Sequence, residues 1–186
     1  MLKKIVVIGP ESTGKSYLCE QLAAHYQTLW VKEYAREYLL ANGKTYNLNT
    51  LLEIAKGQVA IEEKAVTDLM NRLNVTGTGS GHKPLFIDTD LYVMKVWSEF
   101  VFNDCNHWIL NNIAKKKYDL YLLCNVDLPW VKDELREYPD QAIGEKIYLH
   151  YKDIRVNQQT GWVDISGNYE ERLQKAISAA DELISH

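Results

Sequence analysis

No apolar run in this 186-residue chain approaches the ~18 to 20 residues that a membrane span needs. The basic start, Met1-Leu2-Lys3-Lys4, has only the outline of a signal peptide. The apolar part behind it is too short, and it runs into glycine rather than a small-residue cleavage site. Three cysteines, Cys19, Cys105 and Cys124, are an odd number without metal-ligand spacing. That excludes a disulfide framework and points to reduced, mostly buried thiols in a cytoplasmic protein. Neither sign of charge dominates: 21 Lys and Arg stand against 25 Asp and Glu, a net charge of −4, and the bases are scattered. A surface that coats nucleic acid is therefore not expected, nor is a membrane partner. There is no internal repeat. What remains, 46% hydrophobic and 25% charged, is the composition of one soluble globular domain over residues 1–186 with a proper core.

Strand and helix patterns alternate, which predicts an α/β domain with a largely parallel sheet. Residues 3–8 read as a first strand, apolar throughout as a strand covered on both faces should be. Residues 15–27 read as helix, 29–32 as a short strand and 34–40 as a helical turn or two. Thr50-Leu51-Leu52-Glu53 has the form of a capping box opening a long helix to about residue 73. Gly57 inside that helix costs about 1 kcal/mol against alanine, and suggests either a close approach or a tolerated glycine. Residues 74–83 are expected to be a flexible loop. Strands are predicted at 84–87, 120–124 and 162–165, with helices at 91–102, 107–115 and 143–158. Asn168, with Glu171 three residues on, caps a terminal helix.

Chemistry enters at "GPESTGKS". Gly9 to Ser16 fit G-x-x-x-x-G-K-[ST] without a gap, with a strand before and a helix after. The glycines allow a tight turn and close approach to a ligand. Successive N–H groups then point inward at a helix N-terminus, which favours polyanions. The loop predicts ATP binding through Gly9, Glu11, Ser12, Thr13, Gly14, Lys15, Ser16 and Tyr17. Lys15 would reach the β- and γ-phosphates, and the Ser16 hydroxyl would bind Mg²⁺.

In an open α/β sheet, ligands lie beyond the carboxyl ends of the strands. Glu33 ends the second strand and Asp88 the third, with Asp90 two residues further. Asp88 follows Pro84-Leu85-Phe86-Ile87, the pattern of an acid that holds Mg²⁺. Glu33 or Asp90 can take the proton of an acceptor hydroxyl, and Asp90 is equally placed to cap the helix after it. Tyr34, Arg36 and Trp97 are candidates for holding the acceptor. Arg36 can instead pair with Glu33. Gln58 and Glu62 share one helix face and either reach the site or face solvent. "NVDLPWVKDELREYPD" follows the fourth strand. Residues 129–142 are read as a mobile lid that brings Arg136 over the γ-phosphate. Gly167 and Asn168, after the fifth strand, can wrap the adenine or form a plain turn.

Taken together, "GPESTGKS", "KEYAREYL", "FIDTDLYVMKVW", "YDLYLLCNVDLPWVKDELR" and "ISGNYEERLQKAI" resemble, in the same order, the kinase domain of NadR-type ribosylnicotinamide kinases. The resemblance implies a P-loop three-layer α/β/α fold with five parallel strands in the order 2-3-1-4-5. It also implies ATP and Mg²⁺, and phosphorylation of the 5′-hydroxyl of nicotinamide riboside. On that basis Lys15 and Ser16 serve the phosphates and Mg²⁺, Glu33 and Arg36 the acceptor side, Asp88 and Asp90 metal and ribose, and Arg136 the lid. Bifunctional members carry a preceding adenylyltransferase domain, for which residues 1–4 leave no room, so this chain is expected only to phosphorylate. The alternatives are a kinase for another nucleoside, and a nucleotide-switched P-loop ATPase acting on a protein partner. A homo-oligomer is compatible with either.

Overall fold

A computed structural model of the chain describes residues 1–76, 82–135 and 139–185. The chain order is β1 (Leu2–Ile8), α1 (Lys15–His25), β2 (Trp30–Val31), α2 (Tyr34–Asn42), α3 (Leu48–Thr76), β3 (Lys83–Asp88), α4 (Leu91–Phe102), α5 (His107–Lys115), β4 (Leu120–Cys124), α6 (Gln141–Val156), β5 (Trp162–Ile165) and α7 (Tyr169–Ser185). The five strands form one parallel sheet in the order β2-β3-β1-β4-β5. This is the fold class and strand order expected from the sequence.

The uninterrupted apolar run of β1 has a direct cause. Val6 and Ile8 pack with α3, α4 and α6 on one face, while Ile5 and Val7 pack with α1 and α7 on the other. All four are fully buried, and each such side chain contributes about 1.5–3 kcal/mol relative to exposure. The sheet order also fixes where a ligand can enter. From β1 the chain first moves to β2 and β3 on one side, then crosses to β4 on the other. The crevice opened by that reversal lies at the carboxyl end of β1, where Gly9 begins its loop.

Two local expectations change. The long helix is not capped by Thr50. Asn47 accepts the N–H groups of Asn49 (2.9 Å) and Thr50 (3.0 Å), so α3 starts earlier. Glu53 accepts a hydrogen bond from the Tyr38 hydroxyl instead. Gly57 proves to be a close approach: a Cβ there would lie 2.0 Å from the Tyr34 ring. Of the loop expected at 74–83, Asn74 and its neighbours continue α3 and Lys83 opens β3. The central part falls outside the described residues. Among the described residues no helix is long and apolar enough to cross a membrane. The cysteines are free thiols, Cys19 and Cys124 buried and Cys105 half-buried.

Candidate active site

The loop from Gly9 to Ser16 is built by backbone conformations that side chains would prevent. Gly9 has φ +148°, and a Cβ there would sit 2.7 Å from the Cys124 carbonyl oxygen. Gly14, at φ +77°, is the N-cap of α1. Among the described residues no side chain caps that helix end, and its first turn holds no acidic residue. A polyanion would therefore meet uncapped N–H groups and the positive end of the helix dipole. Within the loop, the Thr13 hydroxyl and the Lys15 ammonium both donate to the Pro10 carbonyl, each at 2.8 Å. These bonds hold the turn closed and keep the lysine folded across its mouth.

The Ser16 hydroxyl donates to Asp88 Oδ2 at 2.5 Å. Asp88 is fully buried and its Oδ1 has no hydrogen-bond partner among the described residues. Burial, then the nearby charge of Glu33, push its carboxyl up to about 7, against the opposing pull of Lys15 and the Ser16 bond. A buried carboxylate oxygen without a donor, joined to a hydroxyl on the phosphate loop, is an arrangement that a hard divalent cation would complete. The residues present fit Mg²⁺.

A cleft of about 500 Å³ runs along the loop and is also lined by Glu33, Arg36 and Trp97. Tyr17 and Tyr169 meet edge to face at its rim, their ring centres 5.0 Å apart. A second cavity of about 370 Å³ adjoins it, walled by Trp97, Trp130 and Ile147 beside Glu11 and Thr13. Arg36 does not pair with Glu33. It makes a two-pronged bond to Asp133, 3.0 and 2.9 Å, which ties α2 to the segment after Pro129. The Val131 N–H donates to Ser12 Oγ at 2.8 Å, so the same segment also rests on the phosphate loop. Arg136, the residue expected to act from this segment, lies outside the described residues.

Two expected acceptor contacts are set into the supports of the cleft rather than its wall. Tyr34 donates its N–H to Gln58 Oε1 at 2.7 Å and lays its ring on Gly57. Asp90 is 1% exposed, accepts the Tyr92 N–H at 2.9 Å as the N-cap of α4, and accepts the Tyr121 hydroxyl at 2.8 Å. Burial pushes its carboxyl up to about 6, opposed by the Tyr121 bond and the charge of Arg155. Beyond β5, Gly167 gives its N–H to Asp127 at 2.5 Å. Asn168 and Glu171 form the reciprocal cap of α7 read from the sequence.

Gln58 and Glu62 part company. Gln58 is buried beneath the site, where its amide donates to the carbonyls of Lys32 (3.3 Å), Thr89 (3.3 Å) and Asp88 (3.4 Å). It thus joins the ends of β2 and β3 that carry Glu33 and Asp88. Glu62 lies toward the opposite end of the sheet, with Lys4, Lys116 and the Tyr118 hydroxyl. The signal for both was a polar residue on the apolar stripe of α3. Arg172, buried between the phosphate loop and the loops after β4 and β5, gave no such signal.

Residues 4–172 match a family described as an AAA domain. Over 188 residues the chain is 27% identical to the trifunctional NAD biosynthesis/regulator protein NadR of Escherichia coli strain K12, covering 98% of this chain and 43% of that protein. The chain thus spans less than half the length of the curated relatives it matches. Among solved structures, NadR in complex with NR superimposes with a TM-score of 0.73 at 22% identity, covering 99% of this chain and 50% of that one. The thymidylate kinase of Ehrlichia chaffeensis gives a TM-score of 0.66 at 15% identity, covering 96% of this chain and 98% of that one. The chain belongs to the AAA domain family, and its fold is that of the P-loop nucleoside and nucleotide kinases.

Proposed function

We propose that this chain is an ATP-dependent kinase that phosphorylates the 5′-hydroxyl of a nucleoside, with nicotinamide riboside as the leading acceptor and nicotinamide mononucleotide as product. The observation that carries the reading is the cleft itself. A phosphate loop with an open helix end shares one continuous space with a carboxylate, an arginine and an indole: Glu33, Arg36 and Trp97. An ATPase that only switches conformation needs no such second pocket. The aromatic cavity beside it suits a flat cationic ring, which an indole face attracts. The whole-chain similarity to NadR favours nicotinamide riboside among nucleosides.

The residues divide the work as follows. The amides of Gly9 to Ser16 and the end of α1 hold the phosphates, and Lys15 leaves the Pro10 carbonyl to neutralise charge on the transferring group. Ser16 and Asp88 would hold Mg²⁺, which when bound offsets charge on the phosphate oxygens. Glu33 takes the proton of the acceptor hydroxyl as its oxygen bonds to the γ-phosphorus and the bond to ADP breaks. Gln58 keeps Glu33 and Asp88 in register. Arg36 exchanges Asp133 for the acceptor, and Arg136 closes over the γ-phosphate. Most of the rate enhancement then comes from positioning and charge stabilisation. Free thiols fit a cytoplasmic enzyme.

The test is ADP release with ATP, Mg²⁺ and a panel of nucleosides. Acceleration by nicotinamide riboside above the other nucleosides is expected. Acceleration by a different nucleoside would change the acceptor, and none at all would favour the switched ATPase.

A further inference from the structure

Arg172 is 3% exposed, yet it carries a permanent charge. Its Nε donates to the Gly167 carbonyl at 2.7 Å and one terminal nitrogen to the Thr13 carbonyl at 3.0 Å. The other terminal nitrogen donates to the Asn125 carbonyl at 2.9 Å and to Asp127. The second oxygen of Asp127 accepts the Gly167 N–H. One guanidinium thus joins the phosphate loop, the loop after β4 and the loop after β5.

Packing alone does not ask for this. Burying a cation costs several kcal/mol before its partners repay it, and an apolar side chain of similar volume often does as well or better. A methionine at this place on α7 could not hold three carbonyls from three loops in one fork of donors. A lysine would supply the charge without the fork.

The three loops leave the carboxyl ends of β1, β4 and β5, the edge at which a nucleotide enters. The loop after β4 and the start of α7 also close over Gly14. A Cβ there would lie 3.1 Å from the Leu128 side chain and 3.3 Å from the Tyr169 ring. We infer that Arg172 is a positioning residue: it sets the register between the phosphate-binding loop and the loops after β4 and β5, so that a nucleoside triphosphate gains from engaging all of them together. The inference rests on the nucleotide-binding reading of the Gly9–Ser16 loop. Inorganic tripolyphosphate needs only that loop, whereas ATP also presents a base and a ribose. The mark of the role is therefore the ratio of the two affinities.

Calorimetric titration of the full chain with ATP and with tripolyphosphate reads that ratio. Wild type should bind ATP more tightly. Arg172→Met and Arg172→Lys should each reduce the advantage of ATP about tenfold, the size of one charge-assisted anchor, while tripolyphosphate affinity changes less than about threefold. Asp127→Asn should act in the same direction and less. An unchanged ratio, or equal losses for both ligands, would overturn the inference. If Arg172→Met fails to fold, Arg172→Lys and Asp127→Asn decide it by the same ratio. A wild-type chain that binds neither ligand would remove the nucleotide reading, and this inference with it, so the two failures are distinguishable.

Discussion

Asp88 carries the tension between stability and chemistry at the smallest scale. Its folded-state carboxyl is raised to about 7, from the 3.8 of an unperturbed aspartate, mainly by burial and then by Glu33. The metal-free folded protein therefore binds this proton more tightly than the unfolded chain does. Stability falls as pH rises from about 4 to about 7, and the full penalty applies above that window. Asp88→Asn removes the titration. Measured by urea unfolding without metal, the variant should be more stable than wild type at pH 8, with the gain shrinking toward pH 5. A gain that grew toward acid pH would contradict this assignment. The same variant should lose turnover, because Ser16 would keep a partner that cannot help carry Mg²⁺. Lys15→Ala should lower kcat by about a hundredfold or more while the chain still unfolds cooperatively. A variant with near-normal kcat would remove the lysine from the chemistry. Much at this scale was legible, because the loop's spacing states its own chemistry. For Tyr34 and Asp90 the sequence left the surroundings open, and Asp90 takes the helix-cap alternative. Which way a side chain leaves a strand end depends on partners such as Gln58 and Tyr121, far off in sequence.

Among the elements, α3 decides how the site is held, and two of its features make separable predictions. A methyl group at Gly57 should improve helix propensity by about 1 kcal/mol but collide with the Tyr34 ring, for a net loss of about 1–2 kcal/mol. In a Tyr34→Ala background the same Gly57→Ala change should stabilise. Thermal unfolding of the two single variants and the double variant reads this, and the same sign in both backgrounds would contradict the packing described. At the start of the helix, Asn47→Ala should cost about 1 kcal/mol and Thr50→Ala much less, as Asn47 is the cap. The reverse order would restore the capping box expected from the sequence. That expectation failed for a physical reason: Asn47, three residues earlier, accepts the first free N–H groups, and Glu53, the reciprocal partner, is drawn away by Tyr38. The Asn168–Glu171 cap had no such competitor and was read correctly.

For the whole molecule, the alternation of apolar runs and amphipathic stretches was enough to give a largely parallel sheet and most element boundaries, while the strand order came from the resemblance to NadR-type kinases. The central strands β1, β3 and β4 are largely buried, and helices cover both faces of the sheet. The cross-chain supports were not legible. Arg172 reaches Thr13 across 159 positions and Asn125 across 47, and no local pattern records such a pairing. In the proposed function these parts make one phosphoryl-transfer centre, with a nucleoside pocket beside the phosphate loop. Mass spectrometry of the products formed from ATP, Mg²⁺ and nicotinamide riboside tests it most directly. The expected result is nicotinamide mononucleotide in one-to-one ratio with ADP, formed by wild type and not by Lys15→Ala. ADP accumulating with the riboside unmodified, or with no phosphorylated product from any nucleoside supplied, would contradict it.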